Sequence, residues 1–478
     1  MSENSEAAPE AAQPPVELAA PWKPDPEDES PEGRGARRGL RRPHRLYHLF
    51  SPRLWLQRLV FWGGAIAVSG IAMLFAKGAE YANALLHMGI AWSPYLPLVL
   101  TPLGIALVVA VTRYFPGSEG SGIPQTIASL KIESNAERGR LLGLRIVVGK
   151  IFLTLVGLAS GAAVGREGPT VQIGAAIMHS IGKLIRFSRR DMEKGLILAG
   201  GAAGVAAAFN TPLAGIVFAI EEMSRSFEER TSGTITTAVI VGGAVTLGFM
   251  GDYTYFGHTS ASIGFGDSWV AVPVCGVVGG LAGGIFSQLL VLSSRGLPGR
   301  VGRFVREHPV AFGAACGLLL ALIGLASGGN TYGTGYDEAR RIVERTEALP
   351  ASYGIFKWCA TLVSYVSGIP GGLFSPSLAV GAGFGANLAL VVPYAPAAAV
   401  ALLGMVAYFS GVVQAPITSF VIVMEMTDNH EMLLPLMATS LIATGISRLI
   451  CREALYRALA EPFYRPRAPK ASDGERQG

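Results

Sequence analysis

Glu167 stands in the run Gly165-Arg166-Glu167-Gly168-Pro169, and two runs of similar character flank it along the chain. Gly120-Ser121-Gly122-Ile123-Pro124 comes before, and Gly368-Ile369-Pro370-Gly371-Gly372-Leu373-Phe374-Ser375-Pro376 comes after. All three lie between or at the starts of long apolar stretches. Backbone breakers at membrane depth survive only where protein buries them or where they line a water-filled space. Helices that begin at such breaks aim unpaired amides and the positive end of their dipole into that space. The three runs together describe an anion site inside a membrane.

Each candidate side chain suits that chemistry differently. Ser121, between two glycines, can bring its hydroxyl and neighbouring amides close to an ion, because glycine permits tight backbone approach; a simple helix cap is the alternative. Leu373 and Phe374 hold the matching entrance in the second half, and only their backbone amides could contact an ion there. Glu167, at a helix start, is drawn to the positive dipole end when ionised and loses that attraction when protonated. It could thus occupy the place of a small anion and carry a proton, or be an ordinary first-turn glutamate. Glu222 ends an apolar stretch beside Glu221, and its position alone assigns it no role.

The elements that must position these residues are membrane helices. Of 478 residues 50% are hydrophobic and only 15% charged, and the mean hydropathy is +0.41. A soluble chain carries about a quarter charged residues, so an integral membrane protein is indicated. Cys275, Cys316, Cys359 and Cys451 are far apart with no CxxC pair, and no HExxH occurs, so neither a disulfide framework nor a metal centre is expected. No cofactor is anticipated. Residues 1–50 read as a disordered segment ending in a basic run, Arg34, Arg37, Arg38, Arg41, Arg42 and Arg45. Basic residues before a first span retain that end in the cytoplasm, a commoner use than nucleic-acid binding.

Apolar spans are expected over 54–77, 96–115, 141–161, 167–185 and 195–220, the last broken at Asn210-Thr211-Pro212. The second half offers 234–250, 269–293, 309–327, 354–367, 377–395, 398–426 and 432–450. Many are too short or too interrupted for simple perpendicular crossings. Arg145 and Lys150 within 141–161 point to a bundle interior or an aqueous vestibule. The halves also echo each other. Gly165, Pro169 and Gly174 match Gly372, Pro376 and Gly381, and Pro212, Ile220 and Glu221 match Pro416, Met424 and Glu425. Corresponding broken segments in two repeats point to a transport site between them; chance recurrence in a glycine-rich chain is the alternative.

From about Leu54 to Tyr464 the chain resembles the CLC chloride channel and chloride/proton exchanger family. GSGIP at 120–124, GREGP at 165–169 and GIPGGLFSP at 368–376 occur in the family's order, and Phe209-Asn210, Pro212-Leu213-Ala214-Gly215 and Glu221-Glu222-Met223 are similar to bacterial exchangers. The resemblance implies an all-α polytopic fold of two inverted repeats with many tilted and broken helices. Its transport domain would cover 51–464, with halves near 51–250 and 265–464, and a short cytoplasmic tail 465–478. It implies chloride ligands at Ser121, Leu373, Phe374 and Tyr456, an external gating and proton-transfer glutamate at Glu167, and internal proton transfer at Glu222. Chloride/proton antiport follows, by a homodimer with one pathway per subunit in the cell membrane.

Gln125-Thr126-Ile127 departs from bacterial exchangers, which often carry an acid directly after GSGIP. Residues beyond Tyr464 are too few for paired CBS domains, so nucleotide regulation through them is not expected. Ser121 with Tyr456 argues against the fluoride-exporting branch. The nearest rival is a passive chloride channel, voltage-gated or not, on the same scaffold. A serine hydrolase needs a base within reach of Ser121, and neither His87 nor His179 lies in a partner motif.

Overall fold

The computed structural model describes residues 52–185, 190–224, 229–251, 254–296 and 298–465. The N-terminal segment 1–50 and the tail beyond Arg465 therefore lie outside the described residues. The chain divides into a unit Met1–Leu54 and a unit Trp55–Gly478, and the account below concerns the second.

The first half holds α1 (Pro52–Trp92), α2 (Pro97–Thr112), α3 (Ile123–Lys131), α4 (Asn135–Leu141), α5 (Leu144–Ala159), α6 (Glu167–Ile185), α7 (Arg190–Phe209), α8 (Pro212–Phe218) and α9 (Glu229–Met250). The second holds α10 (Ala271–Arg295), α11 (Gly299–Glu307), α12 (Pro309–Ala326), α13 (Tyr336–Glu344), α14 (Tyr353–Val366), α15 (Phe374–Leu388), α16 (Ala397–Val413), α17 (Pro416–Thr427), α18 (Leu433–Ile450) and α19 (Leu455–Tyr464). Among the described residues six helices are long and apolar enough to cross a membrane, and others are short. Large apolar side chains such as Leu74, Val99, Leu103 and Leu107 lie exposed on the outer helices, as lipid-facing surface requires.

Two expectations need correction. The first span does not stop near Lys77: α1 runs on to Trp92, and Lys77 stays in the helix paired with Glu80 at 2.8 Å, three residues on. Three-residue spacing puts the two charges on one face, so the cation costs the helix little. The apolar stretch 398–426 is two helices, because Gln414 takes a left-handed conformation (φ 57°) and Pro416 opens α17. Asn210 does the same before Pro212, with φ 57°. Two non-glycine residues at matching positions share this uncommon conformation, which favours a true repeat over chance.

The relation between the halves is inverted. Gly165 and Gly372, equivalent by sequence, form an antiparallel bridge with reciprocal N–H···O bonds of 2.7 Å. Only a local two-fold axis lets a residue pair reciprocally with its own counterpart. The same exchange recurs at the ends of α8 and α17. Glu221 accepts from the Ile417 and Thr418 amides at 3.1 and 2.6 Å, while Glu425 accepts from Leu213 and Ala214 at 3.0 and 2.8 Å. Each carboxylate thus satisfies two orphan amides and meets a positive dipole end in the other half.

Small residues bring the helices together. A Cβ on Gly174 would sit 2.2 Å from the Gly200 carbonyl oxygen, and one on Gly381 would sit 2.5 Å from that of Gly404. So α6 crosses α7 in the way α15 crosses α16, backbone against backbone. Lys150 is fully buried and donates to the carbonyls of Ser118, Glu119 and Gly120 at 2.7, 3.3 and 2.8 Å. Lys357 repeats this on Thr331, Tyr332 and Gly333 at 3.0, 3.2 and 2.9 Å. Each ammonium places its three donors on three loop carbonyls, so the expected interior setting holds for Lys150. Arg145 instead is exposed at the start of α5, its guanidinium 5.7 Å from the Phe115 ring centre.

Removing one reciprocal cap tests this arrangement. Glu425→Ala should cost about 1–2 kcal/mol, read as a lower thermal unfolding midpoint in detergent, with Glu221→Ala giving a similar loss. No shift in either variant would mean that the caps are incidental.

Candidate functional site

The three glycine-rich runs meet at one place. The Gly371 amide donates to the Gly120 carbonyl at 3.0 Å, and Gly165 pairs with Gly372. Gly168 lies against Ser121 so closely that a Cβ there would be 2.4 Å from the serine Oγ and 2.8 Å from its carbonyl oxygen. Three helices begin here: α3 just after Ser121, α6 at Glu167 and α15 at Phe374. Neither Gly122 nor Leu373 caps its helix with a side chain, so first-turn amides of α3 and α15 remain available to a ligand. Gly122 has φ 97°, a conformation that suits glycine.

Ser121, Glu167, Glu222, Leu373, Phe374 and Tyr456 are all buried. The hydroxyls of Ser121 and Tyr456 have no hydrogen-bond partner in the protein. A hydroxyl not committed to another group is able to donate to an anion. Tyr456 is carried by α19, which packs on α3, the helix that follows Ser121. The Phe374 ring stacks on that of Tyr456, with centres 6.1 Å apart and planes 16° apart. Phe209, Phe218 and Phe409 close round Phe374 at 5.9, 5.6 and 4.7 Å. Aromatic rings thus wall the centre on the Phe374 side. Such walls strengthen every electrostatic contact inside them.

Glu167 is held by its neighbours. Its Oε1 accepts from the Ser375 hydroxyl at 2.5 Å and from the Tyr255 hydroxyl at 3.1 Å. Its Oε2 has no hydrogen-bond partner in the protein. Glu222 lies in a π-helical turn, Ala219–Ser224, that continues α8. Such turns are frequent at functional sites. Tyr365, Glu222, Ser121 and Glu167 are the polar neighbours of the Tyr456 phenol.

Two cavities approach this centre. One, about 430 Å³, is lined by residues including Glu80, Asn83, His87, Arg166, Tyr255 and Asp337. The other, about 290 Å³, is lined by residues including Glu119, Ser121, Gln125, Tyr365 and Phe463. Tyr255 is thus shared by the first cavity and Glu167, and Ser121 fronts the second. Among the described residues no group of three or more His, Cys, Asp or Glu side chains could hold a metal ion.

The profile of the voltage gated chloride channel family matches residues 103–448. The chain belongs to that family. As a CLC family transporter it shares its fold with several solved structures. One is a slow cyanobacterial Cl–/H+ antiporter, 25% identical, with 87% of this chain and 98% of that one covered at a TM-score of 0.72. A CLC-type fluoride/proton antiporter is 20% identical, with 85% and 98% covered and a TM-score of 0.72. A eukaryotic CLC transporter is 20% identical, with 85% and 74% covered and a TM-score of 0.69. Family members are transporters, and the likeness supports exchange of an anion against protons.

Sequence reasoning missed several residues round the centre. Tyr255 lies in the connection between the halves, where no motif marks it. Ser375 was in view within the third run but carries no distinctive spacing. Lys357 could have been found from its offset of 207 from Lys150. The departure Gln125-Thr126-Ile127 is accommodated locally: the Gln125 amide donates to the Glu119 carbonyl at 2.5 Å, and the Thr126 hydroxyl to that of Gly122 at 2.9 Å.

Gly168→Ala should drive a methyl into both the hydroxyl and the backbone of Ser121. Anion flux in reconstituted vesicles should fall at least about tenfold, since a misplacement of 1 Å at a reacting centre costs on that order or more. Undiminished flux would show that the close approach is not needed.

Proposed function

We propose that the protein exchanges chloride for protons, with Glu167 as gate and outer proton carrier. The observation that carries this reading is the convergence of the Ser121 hydroxyl with the uncapped starts of α3 and α15 on one buried centre, where Tyr456 stacks on Phe374. Hydroxyls and amides attract an anion without the full positive charge that would trap it, as conduction requires. The chloride ligands are then the Ser121 and Tyr456 hydroxyls and the amides of Leu373 and Phe374. Ser121 and Tyr456 together favour chloride over fluoride.

In this reading the ionised Glu167 carboxylate competes with chloride for the same electropositive place. Protonation weakens its hold, the side chain leaves, and the anion moves. Glu222, buried near Tyr456, passes the proton to the cytoplasmic side. The protein works in the cell membrane with its N-terminus in the cytoplasm, as a homodimer with one pathway per subunit. Its partners are chloride, protons and the lipid bilayer.

Chloride and proton movement measured together in proteoliposomes provide the test. A chloride gradient should drive protons uphill. Glu167→Gln should pass chloride while abolishing proton transport, and Glu222→Gln should abolish proton transport too. Wild-type protein that moves chloride without protons would instead be a passive channel.

A further inference from the structure

Glu167 is gripped by two hydroxyls that its own run does not contain. Ser375 comes from the start of α15, and Tyr255 from the connection between α9 and α10. The three side chains form a closed triangle. Ser375 and Tyr255 both reach Glu167 Oε1, and their hydroxyls lie 3.2 Å from each other. All three contacts are buried. Hydroxyl bonds to an ionised carboxylate are short and roughly twice as strong as neutral ones.

The tyrosine is fixed on every side. Its ring meets those of Phe209, Phe256 and Tyr336 edge-on at 5.3, 5.0 and 4.8 Å, and the Arg166 guanidinium lies 5.8 Å from its centre. Its segment is pinned to the second half. The Phe256 amide donates to Met426 at 3.1 Å, and the Asn429 side chain donates to the carbonyls of Thr259 and Ala261 at 2.9 Å each. Such a hydroxyl cannot follow the carboxylate far. Tyr255 also lines the Arg166-side cavity, so it stands between that cavity and the gate.

We propose that Tyr255 and Ser375 are positioning residues that latch Glu167 across the pathway and thereby limit how often it opens. The inference rests on the reading of Glu167 as the gate. Both bonds must break before the carboxylate can swing away, so the latch stabilises the closed arrangement and leaves the anion ligands untouched. It joins the two halves and their connecting segment at one oxygen atom.

The test uses full-length protein in proteoliposomes and reads chloride turnover and the chloride-to-proton ratio. Tyr255→Phe and Ser375→Ala each delete one hydroxyl and keep most of the packing. Each should raise turnover roughly ten- to hundredfold, the worth of one net hydrogen bond to a charged group, with the ratio unchanged. Ser375→Thr, which restores the donor, should return turnover to the wild-type value. In a Glu167→Ala background Tyr255→Phe should add nothing, because it acts only through that carboxylate. Damage to packing would lower turnover rather than raise it. Unchanged or reduced turnover in both hydroxyl deletions overturns the latch, and so does an equal gain without Glu167. The gate assignment fails by a separate sign: Glu167→Gln that still moves protons in step with chloride.

Discussion

Backbone amides and carbonyls that leave a helix inside a membrane must find partners within the protein, since hydrocarbon offers none. Here three such breaks satisfy one another. Gly165 and Gly372 pair across the local two-fold axis, Gly371 bonds to Gly120, and the carbonyls of 118–120 are gathered by Lys150. The helix starts that result are therefore not free to splay. They are held facing a common centre because the loops before them are hydrogen-bonded together.

From that constraint the chemistry of the site follows. Uncapped amides make the centre electropositive, while the aromatic wall of Phe209, Phe218, Phe374, Phe409 and Tyr456 keeps its dielectric low. A positive region made of amides and hydroxyls, with the nearby Lys150 ammonium committed to loop carbonyls, invites an anion and lets it leave. The carboxylate of Glu167 already sits at such a helix start, held by Ser375 and Tyr255. In the exchange we propose, the energetic balance lies between this internal anion and an external one, and small changes in the hydrogen bonds of Glu167 would tip it.

Inversion also explains why the two halves are built alike yet differ at the centre. Glu221 and Glu425 play one structural role on opposite sides, as do Lys150 and Lys357. Where the first half has Glu167, the second has Phe374, by the same offset of 207 that relates Gly165 to Gly372. Symmetry thus supplies the scaffold, and departures from it distinguish the two sides of the centre. A carboxylate opposite an aromatic ring gives one side a titratable group and the other a wall.

Local sequence determined where the chain must break. Gly165, Pro169, Gly372, Pro376, Pro212 and Pro416 announce their own boundaries, because proline lacks the amide a helix interior needs and glycine tolerates turns. The candidate residues stood out for the same reason: Ser121, Glu167, Leu373 and Phe374 all lie within such breaks, while Tyr456 and Glu222 were proposed from the family resemblance. The length of α1 was misread at Lys77, although the pairing with Glu80 at a spacing of three is a local feature open to the sequence. Tyr255 could not be found. Its part depends on a hydroxyl 88 residues from Glu167 in sequence meeting one oxygen of that carboxylate, a contact with no local pattern. Spacing encodes what neighbouring residues impose on the backbone, whereas the reciprocal caps, the bridge between Gly165 and Gly372 and the grip on Glu167 arise only when distant segments pack.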